Sequence, residues 1–151
     1  MLMNKSSRRV LAAFGGVLIL AGAGTADAAF AQRLRAALTG AAEVPPGDPD
    51  GSGVAEVRLD DTLNQICVQL EVSGTSQATA AHIHRGGEGV NGPPVVNLDT
   101  PDNDGDEDDC DHIGDELVDE IARNPAGFYV NVHTGDFPEG AIRGQLTPAA
   151  D

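Results

Sequence analysis

Apolar residues recur at every second position in short runs, and each run is bounded by glycine, proline or a polar turn. Ile66, Val68, Leu70 and Val72 alternate with Gln69 and Glu71, the period of a strand with one buried and one wet face. Leu34, Ala36, Leu38 repeat the pattern, as do Ala55, Val57, Leu59. Further strands are expected over residues 78–84, 94–98, 127–134 and 141–146. Residues 43–51 hold Pro45, Pro46 and Pro49, which lack the N–H that a sheet interior requires, so this segment is a loop. Leu117, Val118 and Ile121 make the one helical stripe, with Asp115 as cap and Pro125 beyond its end. Seven to eight short strands with one short helix imply an all-β antiparallel Greek-key β-sandwich.

The 151 residues suffice for one domain. Residues 1–28 read as a cleaved export signal. Lys5, Arg8 and Arg9 form a positive head, residues 10–23 an apolar stretch, and Ala26-Asp27-Ala28 a small-x-small cleavage site. The general secretory route is expected, and Arg8-Arg9 also fits a twin-arginine signal. A lead-in over 29–37 precedes a domain over 38–148. The expected location is secreted, periplasmic or in the cell envelope, with no membrane span after cleavage.

Cleavage removes Lys5, Arg8, Arg9 and Asp27, leaving six Arg, no Lys and 23 acids, a net charge of −17. Such a chain repels phosphate backbones, so nucleic acid is excluded as a partner. Twelve of the acids fall between Asp99 and Glu120, which makes the acidity local. Within an acidic insertion at 99–112, residues 100–111 are expected to form a long solvated loop. Asp102, Asp104, Asp106, Asp108 and Asp111 supply hard oxygen ligands around Gly105, a partial match to a calcium loop. The run also resembles a single copy of the calcium repeats of thrombospondin-type proteins. Cys67 and Cys110 are expected to form a disulfide in an oxidising compartment. Closing their 43-residue separation removes about 4 kcal/mol of chain entropy from the unfolded state.

The period of two also orients the histidines. In Ala81-His82-Ile83-His84, Ile83 belongs to the core and both histidines to the outer face. Over residues 128–134, Phe128, Val130 and Val132 share the apolar face, which sends His133 outward with Tyr129 and Asn131. If the two strands are neighbours, three imidazoles converge on one surface, a donor set suited to copper or zinc. The plainer alternative is three histidines that hydrogen-bond to nearby carbonyls or carboxylates. Glu88 and Asp136 are possible added ligands. Hydrolase and nucleotide chemistry have no foothold. Ser52, Ser73 and Ser76 sit in turns without a nucleophile elbow, and no glycine-rich loop leads into a lysine.

Several motifs in order resemble the CHRD domain, the module of chordin and of many exported bacterial proteins. They are Leu38-Thr39-Gly40, Glu43-Val44-Pro45-Pro46, Gly51-Ser52-Gly53, Ala81-His82-Ile83-His84 and Gly92-Pro93-Pro94-Val95-Val96. Tyr129-Val130-Asn131-Val132-His133-Thr134 and Pro138-Glu139-Gly140-Ala141-Ile142-Arg143-Gly144-Gln145-Leu146 complete the set. The resemblance implies a sandwich related to that of Cu/Zn superoxide dismutase. It makes His82, His84 and His133 similar to three copper ligands, and Arg143 similar to an anion-guiding arginine. A bridging histidine after His84 and a His-rich zinc loop are missing from the sequence, and a shared fold does not carry an activity.

The resulting expectation is a non-catalytic extracytoplasmic binding or scaffold module that holds copper or zinc through its histidines. Its partner would be an extracytoplasmic protein or a surface polymer. One alternative is a copper- or zinc-dependent enzyme of dismutase-like ancestry. Another is a calcium-stabilised surface or matrix protein.

Overall fold

A computed structural model describes residues 32–102 and 105–150. The export signal and Asp104 lie outside the described residues. The seven expected strands are all present. They are β1 (Gln32–Thr39), β2 (Ser52–Asp60), β3 (Gln65–Ser73), β4 (Ala78–Arg85), β5 (Pro94–Leu98), β7 (Phe128–Thr134) and β8 (Ile142–Gln145). Two more, β6 (Asp106–His112) and β9 (Thr147–Pro148), bring the sheet to nine.

All pairings are antiparallel, and the order β5-β4-β7-β8-β1-β2-β3-β6 leaves β5 and β6 as the two edges of a nearly closed barrel. β1–β2–β3 is a meander. The chain then crosses to β4–β5, back to β6, and over again to β7–β8, so its long connections join strands that are not neighbours. β1 meets β8 through the single pair Thr39–Arg143. The sheet bends at that narrow junction, and its two halves close over one core.

Period-two alternation builds that core. Leu34, Ala36 and Leu38, Ala55, Val57 and Leu59, and Ile66, Val68 and Leu70 are buried from one half. Ala81, Ile83, Phe128, Val130, Val132 and Ile142 meet them from the other. Helix α1 (Asp115–Arg123) adds Val118 and Ile121. Gly114, rather than Asp115, occupies its cap position. Asp115 stands in the first turn, where its charge favours the positive end of the helix dipole, and accepts a hydrogen bond from the Glu116 N–H at 2.9 Å.

The acidic insertion departs from expectation. Residues 106–112 are not a loop but the edge strand β6, which pairs with β3 in continuous register from Glu71–Asp106 to Gln65–His112. Asp has low strand propensity, so no local signal marks this strand. A neighbour that supplies a full ladder of backbone partners overrides the propensity. Cys67 and Cys110 stand directly opposite one another in this register and form the expected disulfide.

Candidate metal centre on the outer face of strands 4 and 7

β4 and β7 are neighbours in continuous register, paired Ala80–His133, His82–Asn131 and His84–Tyr129, and the ladder becomes irregular only beyond His133, between Ala78 and Ala80. His133 is therefore the diagonal neighbour of His82 on the same face. One ligand-capable nitrogen from each of His82, His84 and His133 lies within 4.8 Å of the other two. The rings of His82 and His133 are 5.0 Å apart between centroids, and those of His82 and His84 5.5 Å.

Backbone carbonyls fix which nitrogens remain open. His84 Nδ1 is 2.8 Å from the Gly92 carbonyl and His133 Nδ1 is 3.0 Å from the Pro138 carbonyl. A carbonyl only accepts, so each Nδ1 carries the proton and each Nε2 presents a lone pair. His84 Nε2 is buried and has no hydrogen-bond partner. His82 Nδ1 approaches His133 Nε2 at 3.1 Å. That spacing suits one hydrogen bond. It also suits two ligands of one ion, since nitrogens about 2.0–2.1 Å from a tetrahedral metal lie about 3.3 Å apart.

Burial lowers the pKa of His82, and the nearby His133 and His84 lower it further. Burial also lowers that of His84 against the opposing Gly92 hydrogen bond, with His133 and Arg143 acting in the same direction as burial. Both shifts favour neutral imidazole, the form that binds metal. The donor set, the carbonyls that hold the Nδ1 atoms of His84 and His133, and the spacing fit a transition metal.

The outward direction of this face is as expected, but its exposure is not. Tyr129 and Asn131 are each only 2% exposed, because residues 40–50 and 86–93 roof the sheet. Arg143 ties the roof down. Its Nε and Nη2 donate to Glu43 Oε2 at 3.0 and 2.8 Å, its Nη2 to Asn91 Oδ1 at 2.6 Å, and its Nη1 to the Val90 carbonyl at 3.2 Å. Asn91 Nδ2 reaches across to the Val44 carbonyl at 2.7 Å, and Asn131 Nδ2 donates to Glu43 Oε1. Gly140 (φ +142°) lets the chain pass beneath Glu43, where a Cβ would stand 2.6 Å from the carboxylate.

Tyr129 stacks on His84, with 4.9 Å between centroids and 9° between planes, and its hydroxyl accepts the Gly92 N–H at 3.2 Å. The Arg143 guanidinium lies 4.3 Å from the same ring. A cleft of about 360 Å³ opens here, lined by His84, Asn91, Tyr129, Asn131 and Arg143 among others.

Arg143 is thus beside the histidines, but it is buried and neutralised by Glu43. The sequence reading did not single out Glu43, Asn91, Tyr129 and Asn131 as site residues. Tyr129 and Asn131 shared a face with His133, which was the available signal. Glu43 arrives from a distant loop and stands only in one of the family motifs, and Asn91, also from a distant loop, gives no signal. His112 stands apart on β6, its Nδ1 3.2 Å from the Leu63 carbonyl. Among the described residues no carboxylate joins the three histidines.

The carboxylates proposed for calcium do not converge among the described residues. Strand alternation gives Asp106 and Asp108 one face of β6 and Asp111 the other. Asp102 lies before the strand, and Asp108 pairs with Arg58 at 3.3 Å.

A family model described as the CHRD domain matches residues 34–146, most of the chain. The chain belongs to the CHRD domain family. The match spans β1 through β8, so the histidine face and both roofing loops are parts of the CHRD domain. No curated protein matches the sequence.

Proposed function

We propose that this CHRD domain is an exported, non-catalytic binding module that holds one copper or zinc ion through His82 Nδ1, His84 Nε2 and His133 Nε2. The observation that carries the reading is His84 Nε2, a buried lone pair with no donor to satisfy it, beside His82 Nδ1 and His133 Nε2, which approach each other at 3.1 Å. A buried polar atom left unpaired costs free energy, and an ion bonded to all three rings removes that cost. Bound metal would supply a Lewis-acidic cross-link between β4 and β7. Export rests on the sequence of residues 1–28 and agrees with a disulfide, which persists in oxidising compartments. Among the described residues no helix is long and apolar enough to cross a membrane.

The module reading is preferred over a dismutase-like enzyme because the cation nearest the histidines, Arg143, is held by Glu43 rather than presented to an incoming anion.

The test is elemental analysis of the mature, untagged protein offered copper, zinc and calcium in turn. One transition-metal ion per chain is expected, and its loss in His82→Ala and in His133→Ala. Absence of transition metal in the unsubstituted protein refutes the site. Redox turnover of superoxide by the loaded protein would instead establish the enzyme.

A further inference from the structure

The described residues contain six arginines. Four pair with carboxylates: Arg58 with Asp108, Arg85 with Glu120, Arg123 with Asp119 and Arg143 with Glu43. Arg33 and Arg35 have no carboxylate within ion-pair distance among the described residues. In a chain with 24 acids against 9 bases, two unpaired guanidinium groups on one strand are the unexpected arrangement.

Their placement follows from the register. Arg33 and Arg35 occupy outward positions of β1, about 7 Å apart along the strand. Arg58 lies directly opposite Arg33 on β2, and Glu56 opposite Arg35. Like charges directly opposite on paired strands are destabilising. Arg58 pairs with Asp108. The three arginines line one cleft of about 320 Å³, with Glu56 among its walls and Ala149 and Ala150 closing one side. The C-terminal wall is anchored, because Ala149 N–H donates to the Arg33 carbonyl at 3.0 Å and β9 pairs with β1 at Leu34 and Arg35.

We propose that this cleft binds a tetrahedral oxyanion, phosphate or sulfate, either free or as an ester on a glycan. An anion at the Arg33–Arg58 end converts the cross-strand repulsion into shared attraction, and Arg35 reaches it from two residues along. Glu56 keeps the anion toward that end. A carboxylate satisfies one guanidinium fork, whereas a group with three or four oxygens serves several at once. At physiological salt the screening length is about 8 Å, so the acids elsewhere on the molecule do not cancel the local field. The cleft lies on the outer face of β1 and β2, away from the histidines of β4 and β7, and is independent of the metal reading.

The test is calorimetric titration of the full mature protein, freed of metal and at physiological ionic strength, with inorganic phosphate, inorganic sulfate and heparin as a sulfated glycan. Arg33→Ala/Arg35→Ala is the test variant and Arg123→Ala the control. Both test side chains are exposed on a strand surface, and a melting curve verifies the variant's fold. The proposal expects saturable, salt-sensitive binding that weakens about tenfold or more in the double variant and is unchanged in the control. Binding of the inorganic ions identifies the free anion as ligand, and binding of heparin alone identifies the ester on a polymer. Absence of binding by all three, or binding that survives the double substitution, overturns the proposal.

Discussion

Arg143 and Glu43, one hundred residues apart in sequence, meet in a buried ion pair in which both guanidinium nitrogens that face the carboxylate bond to the same oxygen, Oε2. The other oxygen takes the amide of Asn131, so the carboxylate is shared between a loop, β7 and β8. Removing one partner strands a charge in a site that is about 95% closed to water. Arg143→Met is therefore expected to cost about 3–5 kcal/mol of folding free energy, and Arg143→Met/Glu43→Met to recover much of that loss. Urea denaturation of the two variants decides the matter. Equal stability of both would show that the pair does not hold the roof.

The disulfide joins a core strand to the sheet edge. Cys67→Ser/Cys110→Ser is expected to lower stability by about 2–4 kcal/mol through the unfolded chain. Because β6 lies at the edge, its amides should lose hydrogen-exchange protection before those of β2. Simultaneous loss across both strands would contradict an edge held chiefly by the cross-link.

Gly92 allows the 86–93 loop to orient His84. An added Cβ there would stand 1.7 Å from the Arg85 carbonyl oxygen, a backbone atom that cannot swing aside, whereas at Gly87 it would meet nothing within 4 Å. Gly92→Ala should move the loop and break both its bond to His84 Nδ1 and its bond to the Tyr129 hydroxyl. Copper or zinc affinity, measured by chelator competition, is expected to fall about 10–100-fold, as for loss of other outer-shell partners. Gly87→Ala should leave it unchanged.

Acid should act on the metal-free protein through the same histidines. The pKa values of His82 and His84 are lowered in the fold, so below the ordinary histidine value of 6.5 the unfolded chain takes up protons that the folded chain resists. Their contribution to stability is complete above pH about 6.5 and is lost as the pH falls toward the folded pKa values. Melting temperature in chelator should thus decline between pH 7 and 5, and decline less in His82→Gln/His84→Gln. A decline of the same size in that variant would place the acid sensitivity elsewhere.

The strands and the facing of the histidines were legible because a half-buried strand writes its geometry into its own sequence. Ile83 between His82 and His84, and Val132 before His133, sufficed to set direction. β6 was not legible, since its strand character comes from β3 and not from Asp106–His112 itself. Nor was the roof. Tyr129 and Asn131 read as surface residues because the loops that bury them are far away in sequence. The anion-guiding role of Arg143 was implied by the family resemblance alone, and its counter-charge lies on the loop before β2, out of reach of its own strand's pattern.

The same edge strand has a further consequence. Glu107, Asp109 and Asp111 point to the inner side of β6 and share a shallow groove with Ile66, Val68, Leu70 and Leu98 at the gap between the two sheet edges. A second chain adding a strand at that gap would have to strip water from three carboxylates at once. The stretch richest in charge thus opposes fibril growth and strand exchange at the seam of an unclosed barrel.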